Sequence, residues 1–345
     1  MRSGFSGQSD GRPPVTSQSR ANQSPQFFWE EGINCPVGYP IRMISGEMEL
    51  EDGSTYILST GFCSGLEGWG GRGSGMFAGM RPLPRRLAVT WLSFAEERCY
   101  HLSCGISADV MKMHFEGGFQ AGGSEINGRR ETYDMVNIGL APGGLVVVWL
   151  AGAGRQIEVA YQHALPCTVR AADIGQLDAS QRLIFDRTEI RRIMNDPLIV
   201  PGADGRNRRP GALARWEHYR KRHCWHPWLL LPAGCTLEGL AILFFNGEQI
   251  EWFGTDWPDK GELLPIPQIL SCSWRCRDDR RYGITLRFNE SEIFSVFSSS
   301  DMHKTACPAL RIRTNLIMTV AVTELETRDK WVLLKRSYAS IHQLT

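Results

Sequence analysis

Two stretches of the sequence, PLPRRLAVTWLSFAEERCY at residues 82–100 and PIPQILSCSWRCRDDRRY at residues 265–282, share one pattern. In each stretch, a Pro-x-Pro is followed by a run of alternating apolar and polar residues that contains a tryptophan. Trp91 and Trp274 both lie seven residues after the second proline, and Tyr100 and Tyr282 follow them by nine and eight residues. Such a recurrence predicts an internal repeat, so both halves of the chain are expected to fold alike.

A short helix is expected after this pattern in each half. SADVMKMHF at residues 107–115 and NESEIFSVF at residues 289–297 both open with a residue type that caps helix N-termini. Apolar residues four apart follow in each segment, Met111 with Phe115 and Ile293 with Phe297, as expected for one face of a helix. Strand-like alternation surrounds these helices, including a run on both sides of Asp52-Gly53, which is typical of a tight hairpin.

About six strands and one helix are therefore expected in each half. The fold class that we predict is α+β, with two tandem lobes that are dominated by antiparallel sheet and joined by a helical linker. The predicted regions are a disordered polar tail (1–26), a first lobe (27–166), a linker with a helix over 178–195 and a basic loop over 201–211 (167–214), and a second lobe (215–345).

The composition is that of a globular protein with little overall charge. Hydrophobic residues make up 42% of the chain, and 38 Lys plus Arg against 37 Asp plus Glu leave a net charge of +1. No strong field therefore attracts the chain to nucleic acid or to an anionic membrane. The sequence contains no apolar run of membrane-spanning length and no export signal, which by itself indicates the cytoplasm. The ten cysteines are scattered and form no spaced framework.

A glycine-rich segment over residues 61–79 is the first candidate site. It leads into Pro82 and Pro84 and lacks the strand and helix that flank a phosphate-binding loop, so nucleotide binding is not expected. The segment instead carries residue types that are common at interface hot spots. Either a partner-binding loop or an idle flexible loop is consistent with the pattern, and the candidate contact residues are Trp69, Arg72, Met76 and Phe77.

Other candidate chemistry has a simpler explanation. Cysteine and histidine cluster near residues 99–104 and 218–226, but neither cluster has the paired spacing of a structural zinc site. No nucleophile elbow is present, and Glu96-Glu97 is most simply a solvated turn. The basic and aromatic run over residues 215–223 is short for nucleic-acid binding. We therefore expect no catalytic residue, no metal, no cofactor and no nucleic-acid partner.

The segment from Trp91 to Tyr100, followed by VNIGLAPGGLVVVWLAGAGRQIEV at residues 136–159, resembles an uncharacterised bacterial family, domain of unknown function 2931. The resemblance covers residues 38–165 and extends loosely over the second half. Its members look like periplasmic lipoproteins that are encoded beside secreted phospholipase effectors of the type VI system. The implied role is immunity, in which the protein binds and silences a toxic lipase. The resemblance thus implies the periplasm, whereas the sequence alone indicates the cytoplasm.

A cognate inhibitor needs a rigid scaffold and a complementary surface, and it needs no catalytic residues. We hypothesise that either the loop around Trp69, Arg72, Met76 and Phe77 or the cleft between the two lobes contacts the lipase. Two other classes remain open: a ligand-binding or structural protein of the cell envelope, and a hydrolase. The oligomeric state is not predicted.

Overall fold

The computed structural model describes residues 24–73, 75, 77–121, 129–169, 182, 185–201, 212–253, 262–299, 307–315, 320–328 and 330–344. Most of the expected tail, the expected basic loop beyond residue 201 and the candidate Met76 lie outside these residues.

The first half is built from short and long strands around one helix, α1 (Ala108–Gly117). Its described strands are β1 (Phe27–Asn34), β2 (Ile41–Leu50), β3 (Thr55–Ile57), β4 (Gly61–Cys63), β5 (Gly79–Arg81), β6 (Pro84–Ser93), β7 (Arg98–Gly105), β8 (Phe119–Ala121), β9 (Arg129–Glu131), β10 (Tyr133–Ala141), β11 (Leu145–Gly152), β12 (Arg155–His163) and β13 (Leu165–Cys167). A single 3-10 turn, Pro142–Gly144, joins β10 to β11.

The second half also consists mostly of strands. The linker before it contains α2 (Arg187–Asn195), and the helices α3 (Ala212–Tyr219) and α4 (Glu290–Phe297) follow. Its described strands are β14 (Arg222–Cys224), β15 (His226–Leu230), β16 (Cys235–Phe244), β17 (Gln249–Phe253), β18 (Leu263–Pro265), β19 (Pro267–Cys276), β20 (Arg281–Arg287), β21 (Ala309–Thr314), β22 (Ala321–Glu326), β23 (Trp331–Leu333) and β24 (Tyr338–Leu344). The chain is therefore a β-rich α+β protein, as the alternating pattern predicts.

One large sheet runs through both halves. Its ten strands follow the order β24-β20-β19-β16-β17-β12-β11-β10-β1-β5, and the halves join where Gln156 of β12 pairs with Gln249 of β17. A six-stranded sheet belongs to the first half; five of its strands follow the order β13-β7-β6-β2-β3, and β4 also pairs with β2. A four-stranded sheet, β15-β21-β22-β23, belongs to the second half. The segments that we describe as two lobes thus share a sheet.

Strand β11 shows that this sheet lies between the hydrophobic cores of the two halves. All eight of its residues are buried, because Val148 and Leu150 enter the hydrophobic core of the first half while Val147 and Trp149 enter that of the second. A strand that is buried on both faces needs a continuous apolar run instead of an alternating one. The sequence LVVVWLAG at residues 145–152 meets this need.

Several contacts recur in the two halves. Trp91 pairs with Tyr100 across β6 and β7 with ring centroids 5.4 Å apart, and Trp274 pairs with Tyr282 across β19 and β20 at 6.1 Å. The indole N–H of Trp29 donates to the carbonyl of Pro82, and the indole N–H of Trp225 donates to that of Pro265. Strand β1 pairs in parallel with β10, just as β15 pairs with β21. The internal repeat itself stays a prediction.

The two short helices are found where the sequence places them. The Ser107 side chain accepts the N–H of Val110, and the Asn289 side chain accepts that of Glu292. The residues four apart, Met111 with Phe115 and Ile293 with Phe297, are buried.

Within the expected linker helix over residues 178–195, the structure gives the helix α2 at Arg187–Asn195. Asp186 caps α2 by accepting the N–H of Thr188, and Ile190, Ile193 and Met194 pack on Leu92 and Phe94 at the outer face of β6. The earlier part of the expected helix, with its proposed cap Asp178 and with Leu183 and Ile184, lies outside the described residues.

Candidate functional site

The glycine-rich segment between β4 and β5 lies across the junction of the two halves. Gly70 has a positive φ of 76°, and a Cβ atom there would collide with the backbone of Gly247 from the second half. The N–H of Gly70 donates to Oδ1 of Asn34 at 3.1 Å. A larger residue would therefore separate the segment from the sheet.

The buried amide side chains of Asn34, Asn137 and Gln156 hold this segment in place. Nε2 of Gln156 donates to the carbonyls of Gly70 at 2.6 Å and of Gly247 at 2.5 Å. Nδ2 of Asn137 donates to Oε1 of Gln156 at 3.1 Å and to the carbonyl of Gly71 at 3.0 Å. Because these groups are shielded from water, each bond that is lost would leave a buried polar group unsatisfied. The middle of the segment is thus anchored to both halves.

Trp69 is partly buried. Its ring lies 4.9 Å from that of Trp149 and 5.6 Å from that of Trp216, and it packs against the hydrophobic core of the second half. Residues of β11 and α3, distant in sequence, thus hold the Trp69 ring in place, and its role as a partner contact stays a prediction.

Arg72 remains at the surface. Its guanidinium pairs with Asp134 at 2.8 Å and donates to the carbonyl of Gly152 at 3.2 Å, with nearly half of the side chain exposed. The charge is positioned by these contacts and is still within reach of a partner.

Phe77 lies two residues before β5, which is the last strand of the ten-stranded sheet among the described residues. Its side chain is 63% exposed, while its carbonyl accepts hydrogen bonds from Arg81 and Tyr56. Met80 is 62% exposed and lies opposite Phe28, which is 54% exposed. We call Phe28, Phe77 and Met80 the edge patch. The sequence identifies Phe77 as a candidate but misses the other two, because only the pairing of β1 with β5 sets Phe28 opposite Met80, three residues along the chain from Phe77.

The turn Ala141-Pro142-Gly143-Gly144 lies within the segment that resembles the family, and a carboxylate holds it in place. Gly143, with φ of 77°, donates its N–H to both oxygens of Glu96 at 3.0 and 3.1 Å, and the hydroxyl of Tyr100 donates to Glu96 at 2.9 Å. Burial and this hydrogen bond raise the pKa of Tyr100 to about 12. Glu96 therefore stabilises the Ala-Pro-Gly-Gly turn, and the expectation of a solvated turn is wrong for this residue.

Several side chains of the basic and aromatic run over residues 215–223 contact other parts of the chain. Trp216 and Tyr219 of α3 are buried, and the Tyr219 hydroxyl and the Arg215 guanidinium both bind Glu290 of α4. Arg220 pairs with Glu158 of β12. The run thus joins the two halves.

Eight of the ten cysteines, which are scattered in the sequence, come together in pairs. Cys235 and Cys276 lie opposite each other on β16 and β19 and form a disulfide. Cys99 lies opposite Cys167 across β7 and β13, a hydrogen bond links Cys224 with Cys307, and the sulfurs of Cys35 and Cys63 are 3.4 Å apart. In the described part of the chain, no group of three or more His, Cys, Asp or Glu side chains is arranged to hold a metal ion.

Two of the cavities lined by described residues are relevant to the candidate site. One of about 300 Å³ lies beside the start of the glycine-rich segment and is lined by Cys35, Cys63, Phe62 and Leu66 among others. The second, of about 240 Å³, is a shallow depression on β16, β19 and β20, with His342 and Glu251 in its lining. Burial raises the pKa of Glu251.

Among the described helices, none combines the length and apolar character that crossing a bilayer requires. Comparison with curated proteins and with solved structures yields no match for this chain. The family model described as a protein of unknown function, DUF2931, matches residues 15–191, which is just over half of the chain. This range contains the glycine-rich segment, the edge patch and the turn held by Glu96. The chain therefore belongs to the DUF2931 family.

Proposed function

We propose that this protein is an immunity protein, which binds a cognate antibacterial phospholipase of the type VI secretion system and blocks its active-site cleft. The observation that carries the proposal is the edge patch. Phe28, Phe77 and Met80 present large apolar side chains from backbone that neighbouring strands and glycines hold in place.

A preformed patch suits an inhibitor because little conformational entropy is lost when it binds. Gly73 and Gly75 pack directly on the backbone of β1 at Ile33 and Glu31, so the segment lies close against the sheet at these two glycines. A lipase cleft is apolar where it receives acyl chains, and exposed phenylalanine and methionine side chains are chemically complementary to it. Arg72 would lie at the polar rim of this contact.

The disulfide supports a location outside the cytoplasm. Cys235–Cys276 forms where the compartment is oxidising, and disulfides are rare in proteins of the reducing cytosol. We propose the periplasm as the site of action, in agreement with the resemblance and against the expectation of cytoplasmic residence.

We also propose that the second half is a second copy of the unit that the family model matches. The recurrent Trp–Tyr pairs, the indole hydrogen bonds to Pro82 and Pro265, and the two parallel strand pairs support this duplication.

The test is binding to, and inhibition of, the phospholipase encoded beside this gene. We expect a purified complex and loss of phospholipid hydrolysis in it. The double variant Phe77→Ser/Met80→Ser should weaken binding at least about tenfold, as for hot-spot residues. Tyr338→Ser is the matched control, because Tyr338 is 66% exposed on β24 at the opposite edge of the same sheet.

Equal affinity of the double variant and the wild type would remove the edge patch from the interface. Absence of any complex would overturn immunity. Phospholipid or ester turnover by the chain alone would favour a hydrolase, and saturable binding of a small ligand without a protein partner would favour an envelope ligand-binding protein.

A further inference from the structure

Two thiols meet in the cavity beside the start of the glycine-rich segment. Cys35 follows the end of β1, and Cys63 is the last residue of β4. Their sulfur atoms are 3.4 Å apart, and both residues line the cavity of about 300 Å³. The pair is separated by 28 residues in sequence. It is therefore a product of the tertiary fold.

The fold fixes both backbones at this point. Cys63 pairs with Ile41 where β4 joins the six-stranded sheet, while Cys35 follows directly on β1 of the ten-stranded sheet. Gly65 has a positive φ of 77°, and a Cβ atom there would lie 3.0 Å from the sulfur of Cys35. The two thiols are thus held close by packing on three sides and face the cavity on the remaining side.

The two thiols differ in environment. The sulfur of Cys63 accepts hydrogen bonds from the thiol of Cys35 and from backbone N–H groups, which lower the pKa of Cys63 to about 7. Burial raises the pKa of Cys35, and its side chain is inaccessible to solvent. Cys63 is partly exposed. One partner is accordingly the reachable thiolate and the other is a buried thiol.

We propose that Cys35 and Cys63 form a thiol–disulfide exchange site that takes low-molecular-weight disulfides from the cavity. The Cys63 thiolate attacks one sulfur of the external disulfide, forms a mixed disulfide and releases one thiolate. That thiolate accepts the Cys35 proton, and the Cys35 sulfur then attacks the sulfur of Cys63 and expels the second thiolate. The two protein thiols are oxidised to one disulfide, and the external disulfide is reduced to two thiols.

The product would join the end of β1 to the start of the glycine-rich segment by a covalent bond. That bond would fix the base of the segment whose far end carries Phe77. The inference concerns the chemistry of this chain alone and does not depend on the proposed lipase partner.

The test uses the full chain, reduced and then exposed to oxidised glutathione at neutral pH. Cleavage after Arg20, Arg42 and Arg72 places Cys35 in peptide 21–42 and Cys63 in peptide 43–72, each as its only cysteine. We expect these two peptides as one disulfide-linked species in the non-reduced digest. Recovery of both peptides with free, alkylatable thiols would overturn the proposal, and so would a lasting glutathione adduct on wild-type Cys63.

Two variants separate the roles of the thiols. Cys35→Ser should accumulate one glutathione adduct on Cys63, because the resolving thiol is absent, whereas Cys63→Ser should leave Cys35 without an adduct. Cys104→Ser is the matched control, since Cys104 lies opposite Leu87 and has no cysteine across the strand pair. Cross-linking of residues 35 and 63 should be unchanged in it.

A measurement on the wild type avoids any effect of substitution on folding. Alkylation of the reduced native protein, followed by peptide mapping, should modify Cys63 at least about tenfold faster than Cys104, because burial raises the pKa of the latter thiol. Equal rates at the two positions would overturn the assignment of Cys63 as the attacking group.

Discussion

Replacing Gln156 by leucine should destabilise the junction of the two halves. The glutamine side chain lies almost fully buried at the strand pair that joins β12 to β17. It donates to the carbonyls of Gly70 and Gly247 and accepts from Asn137. Leucine has a similar size and makes none of these bonds, so the change isolates the polar contribution.

The size of the effect follows from what remains after the change. Asn137 keeps its bond to the carbonyl of Gly71, and the Gly70 carbonyl keeps a weaker bond from Asn137 at 3.5 Å. The Gly247 carbonyl loses its 2.5 Å bond to Gln156. A buried acceptor left without its partner costs about 1 to 3 kcal/mol, and each further lost bond costs about 1 kcal/mol. The buried methyl groups return about 1 kcal/mol. We expect a net loss of about 3 kcal/mol in the free energy of unfolding.

Urea denaturation followed by tryptophan fluorescence is a suitable assay, because Trp69 and Trp149 lie beside the junction. The control is Gln162→Leu, an exposed glutamine on the same strand, for which we expect a change within about 0.5 kcal/mol. If the Gln156 variant unfolded at the same urea concentration as this control, water or rearranged side chains would have to satisfy the carbonyls. The amide network would then not be what anchors the glycine-rich segment.

Three further substitutions test other contacts of the fold. Trp69→Ala should lower the free energy of unfolding by about 3 kcal/mol, because it removes a ring packed on Trp149, and a thermal melt with no change in stability would contradict its structural role. Glu96→Ala should cost about 2 kcal/mol in urea denaturation, since the N–H of Gly143 loses its acceptor, while Glu96→Gln should cost less because an acceptor oxygen remains. Cys276→Ser should lose about 4 kcal/mol, the value for a cross-link spanning 41 residues, and added reductant should destabilise the wild type but not this variant.

Much of the local structure could be read from the sequence because short-range periodicity and capping decide it. The spacing of Trp91 and Tyr100 places the two residues on facing strands of the first half. The segments capped by Ser107 and Asn289 form helices because each has an apolar face that packs on the core. The β-rich α+β class follows from the same patterns. They carry no information about which strands of different halves will pair.

The sequence alone predicted the β-rich α+β class, the two short helices and the facing positions of Trp91 and Tyr100, since these depend on neighbouring residues. It predicted about six strands in each half, where the described residues contain thirteen and eleven. Only the tertiary structure decided that Trp69 packs on Trp149, that Phe28 lies opposite Met80, and that Cys35 meets Cys63. Each of these depends on segments that are distant along the chain and are brought together by sheet pairing. Burial and reactivity are properties of such three-dimensional neighbours, so residue type and spacing could not reveal them.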